Sequence, residues 1–559
     1  MVTRKDIAAQ LNETAKLLEV VGEDDRRARS LYVMARAFEA YQGDVGELYR
    51  EGKFTSLRGV GASTEAELNA LFEQGIMPSL ARLREQVPEE VRELFAVSGL
   101  GAKRIGLLWR SRITGLEELL RAAEDGRLAA LPGLGAKSAA KIADSARFAL
   151  RARERMRLDE AHRLAEAIVS ALQAELDSLE RIEVAGEFRR GLETVGELEL
   201  VIAGPEPAEL ARICGRLLDE VDEASPYSGR LMGRRISFTP AATESFGAML
   251  ALRTGSSEFV ETLLVRAEQK GFSASDLETI EAPDEEAFLE SLGLGGIAPE
   301  LRESVSPTPV ADLVELSGIR GAIHNHSTWS DGALSLREMV KTARGLGFSY
   351  LAMADHSRSS TVANGLSPER VLAQAREVEE IRRELESEGD AFELLHGIEV
   401  DILPDGTLDL PDELLARLDY TVASVHQNFG LSEAEQTARV VRAVRNPYVH
   451  ILAHPTGRLL LRRPGYEIDL EAVIEACAAS GTVIEINANP RRLDLDWRWV
   501  SRARELGCKF SIDPDAHSAD GYDDIRYGVT VARKAGLTGA EVINTAPTGR
   551  EFLSRLPRS

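Results

Sequence analysis

Seven short apolar runs, each closing on side chains that can bind a cation, dominate residues 318–559 of this sequence. They are GAIHNH (321–326), YLAMADH (350–356), ELLHGIEVD (393–401), YTVASVH (420–426), YVHILAH (448–454), TVIEINANP (482–490) and KFSIDPDAH (509–517). Helix-like stretches such as SLREMVKTARGLG and LEAVIEACAASG separate them. Alternating strand and helix implies parallel strands. Seven strands with acid, imidazole or amide groups at their C-terminal ends imply a closed β/α barrel with its site at that face. Eight of the chain's nine histidines fall in this part. His324, His326, His356, His426, His454 and His517 stand at strand ends; His396 and His450 lie earlier in their strands and are assigned to packing or support, and His162 to a solvated helix face. The two-residue spacing of His324 and His326 predicts both imidazoles on one strand face, with Asp331 following at a turn marked by Gly332. Imidazole and carboxylate together suit Zn or Mn.

At 559 residues the chain is too long for one core, and roughly three to five domains are expected. No apolar run approaches the ~20 residues of a membrane span, and MVTRKDIAAQ lacks the apolar stretch of a signal peptide. Cys214, Cys477 and Cys508 are too few and too scattered for a disulfide framework or a cysteine metal cage. A reduced, cytoplasmic, nucleoid-associated monomer without membrane contact is expected. The net charge of −24 argues against a nucleic-acid partner until its distribution is considered. Residues 1–150 hold 22 basic and 22 acidic residues, so the whole excess lies in 151–559. Within the first part, 101–150 carries 9 basic against 5 acidic residues, a local stripe compatible with DNA binding.

Three turns in the helix-patterned first part are alike: LRGVGAST (57–64), VSGLGAKR (97–104) and LPGLGAKS (131–138). Each sets two glycines before a helix: Gly59 and Gly61, Gly99 and Gly101, Gly133 and Gly135. The glycines permit a tight turn and close backbone approach, and the N–H groups and dipole of the next helix favour a phosphate. Lys103, Arg104 and Lys137 stand where a first-turn cation reaches a neighbouring phosphate. A plain helix–helix turn capped by glycine is the bland alternative; threefold repetition favours phosphate binding. The turns resemble the helix-hairpin-helix motif, which grips the DNA backbone without reading bases.

VAGEFRRGLETVGELELVIA (184–203) resembles bacterial family-X DNA polymerases and the wider nucleotidyltransferase superfamily. In that family Gly-Ser and two arginines handle the triphosphate, and an Asp-x-Asp strand with a later third aspartate holds two metals. Gly186, Arg189, Arg190 and Gly191 match, whereas Glu187 stands at the serine position and Glu197 and Glu199 at the aspartates. Counting back from ESFG (244–247) puts Ser237 at the third aspartate. Two metals about 3.5–4 Å apart need tightly placed carboxylates, and Asp to Glu moves each oxygen by about 1 Å with added rotamer freedom. Ser237 supplies no charge, and Glu187 puts a carboxylate where triphosphate belongs. The resemblance, with these departures, implies an α+β palm kept to hold structure or DNA, with Mg not expected at its site.

The C-terminal series HxH, SDG, DHS, GIEVDIL, SVH, HPTGR, EINANPRRLDL and DAHS resembles the PHP (polymerase and histidinol phosphatase) domain, fused in this order to family-X polymerases. The resemblance implies a distorted (β/α)7 barrel holding three divalent ions, Mn or Zn. By position, His324, His326, Glu399 and Asp515 would bind one ion, and Glu399 would bridge to a second with His426 and His454. Asp331, His356 and His517 would hold the third. Arg458, Asn487 and Arg491 or Arg492 are candidates for a substrate phosphate; Arg458 is assigned with His324, His326, Glu399, His426 and Asp515 to catalysis. Ala322, Asn325, Ala354 and Gln427 depart from the family pattern outside the ligand positions.

The expected layout is a helical DNA-binding domain at 1–85, helix-hairpin-helix fingers at 86–157, a palm at 158–240, a thumb-like part at 241–304, a linker at 305–317 and the PHP domain at 318–559. The implied activity is Mn-dependent 3′→5′ exonuclease or phosphoesterase action on gapped or 3′-ended DNA, with polymerisation lost or weak. Two alternatives stand beside it: a gap-filling polymerase with PHP proofreading, and a small-molecule phosphatase of the histidinol-phosphate kind, against which the three glycine turns argue.

Overall fold

The computed structural model describes residues 2–557 apart from 40, 42, 58 and 306, and the backbone alone at 5 and 39. Arg58 of the first glycine turn, Ser306 of the expected linker, and Met1, Arg558 and Ser559 at the ends of the expected domains lie outside the described residues. The chain divides into two compact units, Met1–Arg153 and Glu154–Ser559.

The first unit is helical, from Arg4–Val21, capped by Thr3 and Asp6, to Ala136–Arg153. Leu11, Phe38, Phe54, Leu80, Leu94, Ile105 and Leu108 form its buried core. Each glycine turn leads into a helix: Ala62–Gln74 after Gly61, Ala102–Arg110 after Gly101, and Ala136–Arg153 after Gly135.

The second unit opens on Met156–Arg157, paired antiparallel with Thr194–Val195. A five-stranded sheet follows, in the order Arg181–Val184, Glu197–Ala203, Arg234–Ala241, Ser228–Leu231, Glu220–Val221. Helices Phe246–Thr254, Ser257–Gln269 and Glu285–Ser291 pack beside it. Their polar centre is Arg302, 2% exposed, which donates to Glu285 and to the Ile297 carbonyl. The later part of the expected linker is docked: Val314 is buried and donates to Leu537 O at 2.9 Å. Leu313 also bridges to Thr538, and Arg533 donates to Val314 O at 3.3 Å.

The barrel has seven parallel strands whose spatial order equals their chain order: Gly321–Asn325, Tyr350–Met353, Glu393–Asp401, Tyr420–Ser424, Ile451–Leu452, Val483–Asn487 and Phe510–Asp513. A parallel bridge between Asn325 and Ala516 joins the last strand's end to the first. These strands are buried on both faces, as the near-continuous apolar runs require. Helices Leu336–Gly345 and Glu433–Val444 start at reciprocal Ser-x-x-Glu boxes, Ser335 with Glu338 and Ser432 with Glu435.

Palm and barrel share one continuous apolar core. Lys534, on the barrel helix Ile525–Lys534, is fully buried and donates to Arg190 O (3.0 Å) and Glu303 Oε1 (2.6 Å). Gly191 lies against Thr530 so closely that a Cβ would come within 2.2 Å of its methyl group. The Arg-Arg-Gly stretch of the polymerase-like motif is thus also a docking surface for the barrel.

Candidate metal centre

The nine ligand candidates converge at the C-terminal mouth of the barrel. They form four overlapping groups whose ligand atoms lie within 4.8 Å of one another: His326, Asp331, His356 and His517; His324, His326 and Asp515; His324, Glu399 and His454; His356, Glu399 and His426. Glu399 is central. Its Oε1 is 3.0 Å from His454 Nε2, 3.2 Å from His426 Nε2 and 3.4 Å from His324 Nε2, and its Oε2 is 2.7 Å from His356 Nδ1. His326 Nε2 lies 3.1 Å from Asp515 Oδ1, and His517 Nε2 lies 3.4 Å from Asp331 Oδ1. A cavity of about 480 Å³ opens over the cluster.

His324 and His326 do not meet by simple strand alternation. The register shifts between Ala322 and Asn325, the strand ends at Asn325, and His324 takes φ 56. His454 (φ 26) and Asp515 (φ 51) are likewise left-handed. Such backbone is costly for residues other than glycine and concentrates at functional sites. The return of the STWSDG loop onto His326 depends on Gly332, where a Cβ would lie 2.1 Å from the His326 carbonyl. Asp355 fastens that loop, accepting from Ser327 N and Oγ (both 2.8 Å), Ser330 and Gln374.

Whether these residues suit cations is answered by their buried atoms. His324 Nε2, both ring nitrogens of His326, His356 Nδ1, Glu399 Oε2 and His454 Nδ1 are buried and make no well-directed hydrogen bond, although His356 Nδ1 lies 2.7 Å from Glu399 Oε2 and His326 Nε2 3.1 Å from Asp515 Oδ1. Such atoms cost free energy unless a further partner is supplied. Tautomers are set for ligation. His324 Nδ1 donates to Glu485, His426 Nδ1 to Asp401 (2.7 Å) and His517 Nδ1 to Asp515 O (2.9 Å), which turns each Nε2 lone pair towards the cluster. The charges agree. Burial would raise the Glu399 and Asp515 carboxyls, but the surrounding imidazoles hold both well below the ordinary range. Burial likewise opposes charge on His426 and His517, yet Glu399 and Asp401 push the first to about 10, and Asp331 and Asp515 push the second to about 9. His326 falls to about 3 through burial and then through His517 and His356. A set that gathers positive charge around ionised carboxylates accepts a divalent cation in exchange for imidazole protons.

Asp401, Glu485, Asp355 and Asn487 support the ligands, and only Asn487 was singled out from the sequence. Asn487 donates to Asp515 Oδ2 (3.1 Å) and Glu485 Oε2 (3.2 Å), so it orients a ligand. The available signal was the i, i+2 pairing of Glu399 with Asp401 and of Glu485 with Asn487 on one strand face. Asp401→Asn is expected to weaken metal binding about 10- to 100-fold, because the amide no longer fixes the His426 tautomer; metal titration of the purified variant reads this directly.

Arg458 is placed elsewhere. Its guanidinium donates to Arg492 O (2.9 Å), Asp496 Oδ2 (3.0 Å) and the Leu493 carbonyl, and lies 3.6 Å from the palm's Glu193. Arg492 lines the mouth, 3.6 Å from Asp515 Oδ2.

In the palm, Glu199 and Ser237 are register partners, so a hydroxyl stands beside the second acid. Burial, then Glu197, pushes Glu199 up to about 7, and Glu197 lies 3.8 Å from Arg235. Gly186 (φ 61) is pressed by Glu199, whose Oε1 would be 2.2 Å from a Cβ there. Glu187 accepts from Arg155 (2.8 Å) and Gly196 N (2.7 Å). Arg189 donates to Thr254 Oγ1 (2.9 Å) and Glu285 (2.6 Å), and Arg190 to Glu303 (2.8 Å) and Thr254 O (2.9 Å).

At the helical turns, Gly59, Gly99 and Gly133 are left-handed at φ 92, 84 and 77. Gly101 has φ −87, and a Cβ at Gly101 or Gly135 would meet nothing within 4 Å. Neither strain nor packing within the chain asks for those two glycines, and the space beside each is open. Lys103 pairs with Asp25 (2.8 Å), Arg104 donates to Gly99 O (2.9 Å), and Lys137 is exposed.

Residues 322–489 match the PHP domain, and residues 91–147 match the SAM-like helix-hairpin-helix tandem. Over 561 aligned positions, spanning 97% of each chain, the protein is 35% identical to the DNA polymerase/3′-5′ exonuclease PolX of Bacillus subtilis (strain 168). The chain belongs to the bacterial family-X DNA polymerases with a PHP domain. It is an enzyme of that family, with divalent-metal-binding and DNA-binding modules. The chain is also 30% identical, over 241 residues, to a probable phosphatase of Thermoanaerobacter sp. (strain X514), covering 40% of this chain and 89% of the relative. Among the described residues of this family-X member, no helix is long and apolar enough to cross a membrane.

Proposed function

We propose that this family-X protein is a 3′-end-trimming DNA phosphoesterase, with three divalent ions, Mn or Zn, at the barrel mouth and templated polymerisation lost or weak. The observation that carries this reading is the convergence of nine imidazole and carboxylate ligand candidates from six of the seven strand ends, several of their buried atoms lacking a hydrogen bond. His324, His326 and Asp515 would hold one ion, Glu399, His426 and His454 a second, and Asp331, His356 and His517 a third, with Glu399 as the bridge. Histidine-rich ligation favours Mn or Zn over Mg. Bound ions supply a nucleophile at neutral pH from water and offset charge developing on the phosphoryl oxygens. The chain's own residues do the rest. Arg492 presents a planar fork to a non-bridging phosphate oxygen. Asp401, Glu485 and Asn487 hold His426, His324 and Asp515 in their orientations.

The helix-hairpin-helix turns would hold gapped or 3′-ended DNA by its phosphates, without base selectivity. Glu197, Glu199 and Ser237 replace the family's three aspartates, Glu187 fills the serine position, and Arg189 and Arg190 are engaged by Glu285 and Glu303. A soluble monomer in the bacterial cytoplasm fits these roles.

A 3′-recessed primer–template, 5′-labelled on the primer, with Mn and with or without deoxynucleotides, tests the proposal. Shortening in both cases, abolished by chelator and restored by Mn, is expected. Template-directed extension would overturn the palm reading, and an untouched 3′ end would overturn the trimming reading.

A further inference from the structure

A second cavity, of about 610 Å³, lies beside the metal mouth, and the two share Arg492, Asp515 and His517. One wall is the barrel loop carrying Asn489, Arg491 and Arg492. The other wall is the start of the palm helix Leu158–Glu175, with Asp159 and Arg163 on it and Arg157 at its N-cap. Palm and barrel lie in the same compact unit and share a core, so this groove is a built feature of the fold.

A strand cleaved near its 3′ end needs room on both sides of the reacting phosphate. The mouth cavity, about 480 Å³, is of a size for one small ligand such as a departing nucleotide. The retained nucleotides must leave it, and the groove continues it on the far side of Arg492. We propose that the groove seats the retained, 5′ side of the DNA strand, and that the palm thereby supplies part of the nuclease's substrate site. This rests on the 3′-trimming reading above.

Four arginines line the groove beside four aspartates, Asp159, Asp515, Asp520 and Asp524, and the arginines are the groups that a phosphodiester backbone would engage. Arg491 and Arg492 face the groove from one wall, and Arg157 and Arg163 from the other. Asp159 accepts from Arg157 Nε at 3.0 Å and Arg163 Nη2 at 2.9 Å, which aims both guanidinium groups along the wall. The Arg163 side chain is 62% exposed although its partner Asp159 is 9% exposed, so the guanidinium is anchored at one edge and open to the groove at the other. The arrangement also gives a reason for retaining a palm whose metal-binding acids are altered: its helix is a wall of the neighbouring site.

The test uses full-length protein with Mn. Values of kcat and KM are measured for 5′-labelled single strands of increasing length, from a dinucleotide upward, and for bis(p-nitrophenyl) phosphate, which reaches the metals and not the groove. Wild-type kcat/KM is expected to rise with strand length to a plateau. Arg163→Glu lowers that plateau about tenfold relative to the small diester, chiefly through KM, and flattens the length profile. Arg163→Lys restores most of the loss. An unchanged length profile in Arg163→Glu, or an equal loss on both substrates, overturns the groove. Wild-type protein that hydrolyses the small diester and no strand of any length overturns the trimming reading, and the groove falls with it.

Discussion

Glu399→Gln is expected to lower phosphodiester hydrolysis by at least about 10³-fold and to remove at least one bound ion per chain. Among the described residues no other side chain touches as many members of the cluster: its two oxygens lie within 3.4 Å of ring nitrogens of His324, His356, His426 and His454. The amide keeps the shape, deletes the charge and replaces one oxygen with a donor that faces a cation badly. Several kcal/mol of transition-state stabilisation per ion is the usual scale, and about 4 kcal/mol corresponds to that rate loss. Native mass spectrometry reads the metal, and bis(p-nitrophenyl) phosphate reads the chemistry without requiring DNA binding. A variant within tenfold of wild type and carrying its full metal complement would refute the bridging role.

The second large effect is structural. Glu285→Ala is expected to destabilise the helices around it by about 3–5 kcal/mol, because Arg302, 2% exposed, loses its carboxylate partner. Arg189 loses the same carboxylate, 2.6 Å away. Native-state hydrogen exchange of the helices Phe246–Thr254 and Ser257–Gln269 reads the loss locally, which matters in a chain of several domains. Burial would raise the Glu285 carboxyl, but the hydrogen bond from Arg189 and the charge of Arg302 hold it below its ordinary value of 4.5. A depressed carboxyl stabilises the fold fully above its unfolded pKa and ceases to do so as pH falls through its folded pKa. The gap between wild type and variant is therefore widest above pH about 4.5 and closes on acidification. A gap that widened instead would mean the carboxyl is not ionised in the fold.

The barrel was legible because its strands are buried on both faces, so their apolar runs stand out between amphipathic helices. The ligands were legible because parallel strands bring all their C-terminal ends to one mouth; reading strand ends amounts to reading a site. What lay beyond the sequence was local backbone and side-chain pairing over distance. Alternation predicts His324 and His326 on one face, whereas a register shift and left-handed backbone at His324 aim the rings. Glu485 lies 161 residues from His324 and Asp401 25 from His426, so these pairings follow from the closed sheet alone. Arg458 and Arg492 look equivalent as arginines near barrel ends. Only the fold separates the one held by Asp496, Leu493 and Arg492 from the one at the mouth. In the palm, the substitutions at Glu197, Glu199 and Ser237 were plain in the sequence, while the capture of Arg189 and Arg190 by acids 96 and 113 residues away was not.

The central claim is that this chain's chemistry resides at the barrel mouth and not in the palm. Trimming of a 3′-ended strand in Mn, compared among wild type, His324→Ala/His326→Ala and Glu197→Ala/Glu199→Ala, tests it most directly. Wild-type trimming is expected in the palm variant and none in the barrel variant. Trimming that survives the barrel substitutions, or vanishes with the palm ones, would contradict it.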